Sequence, residues 1–242
     1  MKNLWTSIEW FPHKHANEVM IKADPNGIFV AEDTDSEDFA NIGAYCVRPE
    51  YRGHGIGQSL WNTGMAHMGD RNIGLFAISD KMLAIYRDKH NFKHIANRQL
   101  VLMRGSFVPN KGLIDRIDGI SLAVISEDNI LDVIQYDRHV NEVSGFCFLL
   151  NTTSNATMIE PLYADNEQIA ELLVNKCCQQ LPQNRTQNVN YECWDTNNSA
   201  QEIGNKLGLI ELKREKNAFT KKVMIGNMDK MFGLSSSLFF AS

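Results

Sequence analysis

Residues 44–57 read AYCVRPEYRGHGIG. The stretch predicts a short apolar strand over 44–47, a stop at Pro49, and a glycine-rich turn from Arg52 to Gly57. A helix follows at once, because Ile56, Leu60, Trp61, Met65 and Met68 recur at helical spacing. Gly53, Gly55 and Gly57 alternate along the turn, so few side chains shield the backbone amides at the start of that helix. Bare amides and the positive end of the helix dipole favour an anion there, above all a phosphate.

Two common phosphate loops are excluded by single positions. A Walker loop ends in Gly-Lys-Ser/Thr, whereas Gly57 is followed by Gln58 and Ser59. The dinucleotide pattern G-x-G-x-x-G needs glycine at Gln58 if it begins at Gly53, or at Leu60 if it begins at Gly55. What fits is R-x-x-G-x-G preceded by V-x-P-x-Y. That pattern resembles motif A of the GNAT superfamily of acyl-CoA N-acyltransferases, whose loop wraps the pyrophosphate of acetyl-CoA.

The resemblance implies a set of roles. Cys46 and Val47 offer main-chain groups to the pantetheine arm, with the Val47 N–H polarising the thioester carbonyl. Arg52, Gly53, His54, Gly55, Ile56 and Gly57 bind the pyrophosphate, mainly through amides. Residues 83–92, LAIYRDKHNF, resemble the family's motif B, L-x-x-Y-x-x-x-G-F, so Tyr86 falls on the general acid that protonates the departing sulfur. Asn91 replaces the motif's glycine, and Phe92 lies one residue later than usual. Ser79, at the mouth of the same helix, is placed to touch the CoA arm. Acetyl-CoA is the expected acyl donor, and no metal is expected.

Composition narrows the class. The chain has 242 residues, 43% hydrophobic content and a formal charge of −5, enough for one large or two small domains with real cores. The acidic balance argues against nucleic acid and against an anionic membrane surface. No apolar run of signal or spanning length occurs, so a soluble, cytoplasmic protein is expected. Cys46, Cys147, Cys177, Cys178 and Cys193 show no C-x-x-C spacing and read as reduced thiols. His13 and His15 form a local pair without an acidic or cysteine companion.

Along the first half, a strand is expected at 28–31, then an acidic run at Glu32, Asp33, Asp35, Glu37 and Asp38. Glu32 or Asp33 is a candidate to act on the acceptor amine through a water. Further strands are expected at 72–78, 92–95 and 99–103, with a helix capped by Ser79 and Asp80 and running to about His90. Only the short span from Glu32 to Gly43 joins the first two strands, so the sheet is expected to be short.

Residues 104–112 read as a linker. Beyond it come a strand at 120–124, a helix at 130–136, and an amphipathic helix from Glu167 to about Gln180 striped by Ile169, Leu172, Leu173 and Cys177. A strand at 189–194, a helix ending at Gly208, and strands at 209–214 and 218–224 complete the order. Tyr136 to Val140 (YDRHV) and Pro161 to Asp165 (PLYAD) resemble landmarks of a two-domain GNAT subfamily with a degenerate second domain, which lacks the glycines of the loop.

The reading is therefore α/β (α+β): two tandem GNAT-like domains, each a mixed, mostly antiparallel sheet flanked by helices. The boundaries are 1–104, a linker at 105–117, 118–225, and a tail at 226–242 that frays. The expected function is transfer of an acetyl group from acetyl-CoA to the amine of a small molecule, as monomer or homodimer. The alternative is a catalytically impaired GNAT-like pseudoenzyme that binds CoA without turnover.

Overall fold

The computed structural model describes residues 30–32, 39–43, 45–107, 112–134, 143–152, 156–181, 188–224 and 228–234. The first half supplies β1 (Val30–Glu32), β2 (Phe39–Ile42), α1 (Ile56–Met68), β3 (Asn72–Ala77), α2 (Asp80–His90) and β4 (His94–Ser106). The second supplies α3 (Ile130–Ile134), β5 (Gly145–Asn151), β6 (Thr157–Ala164), α4 (Glu167–Gln179), β7 (Asn188–Trp194), α5 (Asn198–Lys206), β8 (Ile210–Phe219) and β9 (Met231–Gly233). No helix among the described residues is long and apolar enough to cross a membrane.

These strands form one sheet in the order β1-β2-β3-β8-β4-β7-β6-β5, with β9 against β6. The order is symmetric about the β8–β4 pair. Each half holds an antiparallel pair (β1 with β2, β5 with β6) and a parallel pair (β2 with β3, β6 with β7). Each half then gives its last long strand to the other: β8 lies between β3 and β4, and β4 lies between β7 and β8. The tandem units expected from the sequence are present, and their sheets run together.

The cores record the same exchange. Trp61, Met68, Leu83, Tyr86 and Phe92 pack on Ile73, Leu75 and Ala77, and Ala218 of β8 completes that cluster. Val101 and Met103 of β4 lie instead in the second half's core, among Ile159, Ile169, Val174, Tyr191, Cys193 and Ile203. Alternation explains the division, since successive residues of a strand face opposite sides.

Several expected elements shift. The strand expected at 44–47 is β2, at Phe39–Ile42, where Phe39, Ala40 and Asn41 are buried; residues 45–48 have left the sheet for the loop. The strand expected at 28–31 is described at Val30–Glu32. The two strands expected at 92–95 and 99–103 are one, β4, with an irregular register between Ile95 and Gln99. Likewise β8 is continuous across Lys216 and Asn217, polar residues that pair with Ala77 and Phe76 of β3. The strand β4 runs on to Ser106, past Arg104. Residues 120–124 form no strand. Part of the expected tail is ordered as β9, with Phe232 and Leu234 buried. His13, His15, Tyr136 to Val140, Asp33 and residues 235–242 lie outside the described residues.

Candidate active site

The glycine-rich loop leaves the sheet where β2 and β3 part. Their parallel pairing ends at Ile42 opposite Leu75, while β3 continues to Ala77. Residues 45–48 then run without a strand partner, so beyond Leu75 the side of β3 that β2 had paired is an open wedge. A short 3₁₀ turn at Pro49–Tyr51 follows, held by Tyr51 N–H donating to Arg48 O at 2.9 Å.

Gly53 and Gly55 both adopt positive φ, +82° and +78°, a region in which a side chain is strained. Gly55 is the N-cap of α1, and no side chain caps that helix. Among the described residues, the amides of Gly53, His54, Gly55, Ile56, Gly57 and Gln58 donate to no protein acceptor. Six consecutive uncommitted N–H groups at a helix N-terminus are an arrangement that favours an anion.

Gly57 is glycine for a different reason. A β-carbon there would fall 2.9 Å from the Tyr45 hydroxyl oxygen and 3.4 Å from Val47 Cγ2. The Arg52 guanidinium donates through Nε to Val47 O at 2.9 Å and staples the loop to the chain before it. His54 Nδ1 lies 3.0 Å from Arg52 O. A carbonyl accepts, so Nδ1 is the donor of this bond. Burial pushes the Cys46 thiol up, and Arg52 opposes this in part. Ser79 is committed to the cap of α2, accepting from Met82 N–H at 3.3 Å, with its own hydroxyl proton still available.

Tyr86 is reached from the loop through a chain of rings. Tyr45 meets Trp61 edge-on at 5.4 Å, and Trp61 stacks on Tyr86 at 5.4 Å and 15°. His90 and Phe92 close the cluster at 4.3 and 6.1 Å from Trp61. Burial, followed by the nearby Tyr45, pushes the Tyr86 phenol up to about 12. Burial and Lys89 lower His90. Asn91 takes the left-handed conformation at φ 64° that the replaced glycine would take. Sequence reasoning placed Trp61 on a packing stripe and gave Tyr45 no role; ring contacts between two helices and a loop leave no short-range signal. It also passed over Lys216, which brings the exchanged strand β8 to this site by pairing with Asp80 at 2.8 Å.

Among the described residues, the second half has no equivalent loop. Asn166 caps α4, its side chain accepting from Ile169 N–H at 3.0 Å, and Glu167 stands in the first turn. One free donor is thus satisfied and a negative charge guards the others, which disfavours a phosphate.

Fold and loop together define a class: a mixed α/β protein whose parallel strand pair ends beside a glycine-rich helix start with uncommitted amides. The acetyltransferase (GNAT) family model matches residues 5–92. These residues match a family that transfers acyl groups from acyl-CoA. A Pyrococcus horikoshii protein assigned provisionally as an acetyltransferase is similar in structure, with TM-score 0.59, 18% identity, and coverage of 91% of this chain and 83% of that one. A tandem GNAT protein from the clavulanic acid biosynthesis pathway is similar with TM-score 0.59 and 14% identity, over 75% of this chain and 74% of that one. These likenesses carry the tandem fold. No curated protein matches the chain.

Proposed function

We propose that this chain is an N-acyltransferase that moves an acetyl group from acetyl-CoA to the amine of a small molecule by direct attack in a ternary complex. The observation that carries the reading is the row of six uncommitted amides, from Gly53 to Gln58, beside the wedge where β2 and β3 part. The pyrophosphate lies on those amides and on the α1 dipole. The pantetheine arm runs into the wedge against the main-chain N–H groups of Cys46 and Val47, and Ser79 offers its hydroxyl from the start of α2. The Val47 N–H supports the charge that develops on the thioester oxygen.

The amine attacks as the free base, the tetrahedral intermediate collapses, and the C–S bond breaks with the thiolate leaving. Tyr86 donates to that sulfur. Its acid strength sets the manner of donation. A thiol ionises near 8.5, so complete transfer from a phenol at about 12 is uphill by roughly 5 kcal/mol. Tyr86 therefore stabilises the departing thiolate as a hydrogen-bond donor, and the proton that finally reaches the sulfur comes from the attacking ammonium or from water.

Calorimetric titration with acetyl-CoA, followed by free-thiol release over a panel of small amines, tests the proposal. Micromolar binding lost in Gly55→Glu and Gly57→Glu, and steady thiol release with at least one amine, are the expected results. Affinity unchanged in both variants overturns the site, and binding without release from any amine favours a non-catalytic CoA-binding module.

A further inference from the structure

The internal symmetry of the sheet shows what fills the counterpart of the wedge in the second half. There β6 and β7 pair in parallel up to Ile159 opposite Tyr191 and then part, as β2 and β3 do. Into that gap enters β9. It pairs antiparallel with β6, Leu162 opposite Gly233 and Tyr163 opposite Met231, and reaches β7 through Leu234 N–H donating to Glu192 O at 2.9 Å.

The slot is built around this segment. Lys230 O accepts from Ala164 N–H at 2.9 Å, Met231 O from Asn197 Nδ2 at 3.1 Å, and Phe232 O from the Tyr191 hydroxyl at 2.6 Å. Three successive carbonyls are thus each matched by a donor from a different element. The Lys230 ammonium pairs with Asp165 at 2.7 Å. Phe232 and Leu234 are buried, 4% and 0% exposed, and Gly233 passes where a β-carbon would fall 2.9 Å from Leu162 Cβ and 3.1 Å from the Tyr191 ring. Strand addition of this kind gains affinity from main-chain bonds and selectivity from side-chain pockets.

We infer that the second half holds a peptide-accepting slot whose ligand is the chain's own residues 228–234, and that this slot takes an extended Phe-Gly-Leu-type peptide in place of an acyl-CoA arm. The ligand's chemistry follows from the fit: an apolar side chain, then a glycine where the walls close, then a second apolar side chain, with a lysine ahead of them for Asp165. The pyrophosphate of a CoA has no home beside it, since α4 is capped by Asn166 and faced by Glu167.

The test keeps the full chain. A protease-cleavable sequence is placed between Met224 and Met228, the folded protein is cut, and retention of the released fragment is followed by size exclusion. The fragment is expected to stay bound and to be displaced by excess synthetic peptide of residues 228–234. The same cut in a Gly233→Val chain should release it at least tenfold faster. Immediate loss of the unmodified fragment overturns the inference, as does equal retention of both. Independently, hydrogen exchange on the uncut chain should find the amides of Ala164 and Leu234 protected; exchange at free-peptide rates overturns it without any variant. A second equivalent of acetyl-CoA taken up once the fragment leaves would also overturn it.

Discussion

Gly57 and Tyr45 show how one missing methyl shapes the candidate site. Alanine in a helix is ordinarily better than glycine by about 1 kcal/mol. At Gly57 the new methyl meets the Tyr45 oxygen at 2.9 Å, while the next ring atom, Cζ, is at 3.8 Å. Gly57→Ala should therefore lower the melting temperature in the native chain and raise it in a Tyr45→Phe background; a rise in both backgrounds would show that the contact exerts no force. The alternating glycines were legible in the sequence because the rules for helix starts are local. The partner Tyr45 was not, because a contact from strand exit to helix depends on how the loop folds back. Tyr86 gives a pH-dependent counterpart. Its folded value of about 12 lies above the usual 10, so the neutral phenol is favoured in the folded state. Its contribution is fully present below pH 10 and is lost as pH rises toward 12, by up to about 3 kcal/mol. Tyr86→Phe should flatten that alkaline loss in stability. It should also lower kcat by roughly 10²-fold or more with KM little changed; an unaltered kcat assigns Tyr86 to packing alone.

At the scale of elements, two glycines mark where the exchanged strands and their helices come closest. A β-carbon at Gly204 of α5 would meet Met103 Sδ of β4 at 2.4 Å, the far part of a flexible side chain that can swing aside. One at Gly105 of β4 would meet backbone, Gly208 O at 2.7 Å and Leu209 Cα at 3.1 Å, which cannot. Gly105→Ala is thus expected to cost more stability than Gly204→Ala, with the former at about 1–3 kcal/mol by chemical denaturation. The reverse ranking would mean that β8 adjusts to β4 more readily than Met103 moves. Helices were the most legible elements. Ser79, Asn166 and Asn197 each accept from an amide three residues ahead, and the runs they open were predicted nearly to the residue. Strands were less so. The polar pair Lys216 and Asn217 read as a break between two strands, yet Lys216 finds Asp80 and Asn217 lies buried opposite Phe76. A polar residue inside a strand is interpretable only once its neighbour is known, and here the neighbours are some 140 residues away in sequence.

The whole molecule follows from those distant neighbours. Periodicity revealed two copies of one element order, and from it two separate sheets were the natural expectation, with boundaries near residues 104 and 118. The register shows why order alone was not enough. Residues His94 to Arg104 of β4 lie along β8, and Leu100 to Ser106 also lie along β7, so a first-half strand is paired on both sides by the second half. Removing the second half would strip β3 and β4 of every partner they share with β8, leaving two long edges with unpaired amides and carbonyls, a template for aggregation. It would also leave Ala218 missing from beneath Leu75 and Ala77. We propose that the two units are one folding unit. The intact chain should melt in a single transition with calorimetric and van't Hoff enthalpies equal. Residues 1–111 and 112–242, produced separately, should each be insoluble or disordered, and should regain acetyl-CoA binding only when refolded together. A soluble 1–111 fragment that binds acetyl-CoA with the affinity of the intact chain would refute this, because β3 would then need no partner from β8 to hold the loop, the wedge and Tyr86 in place.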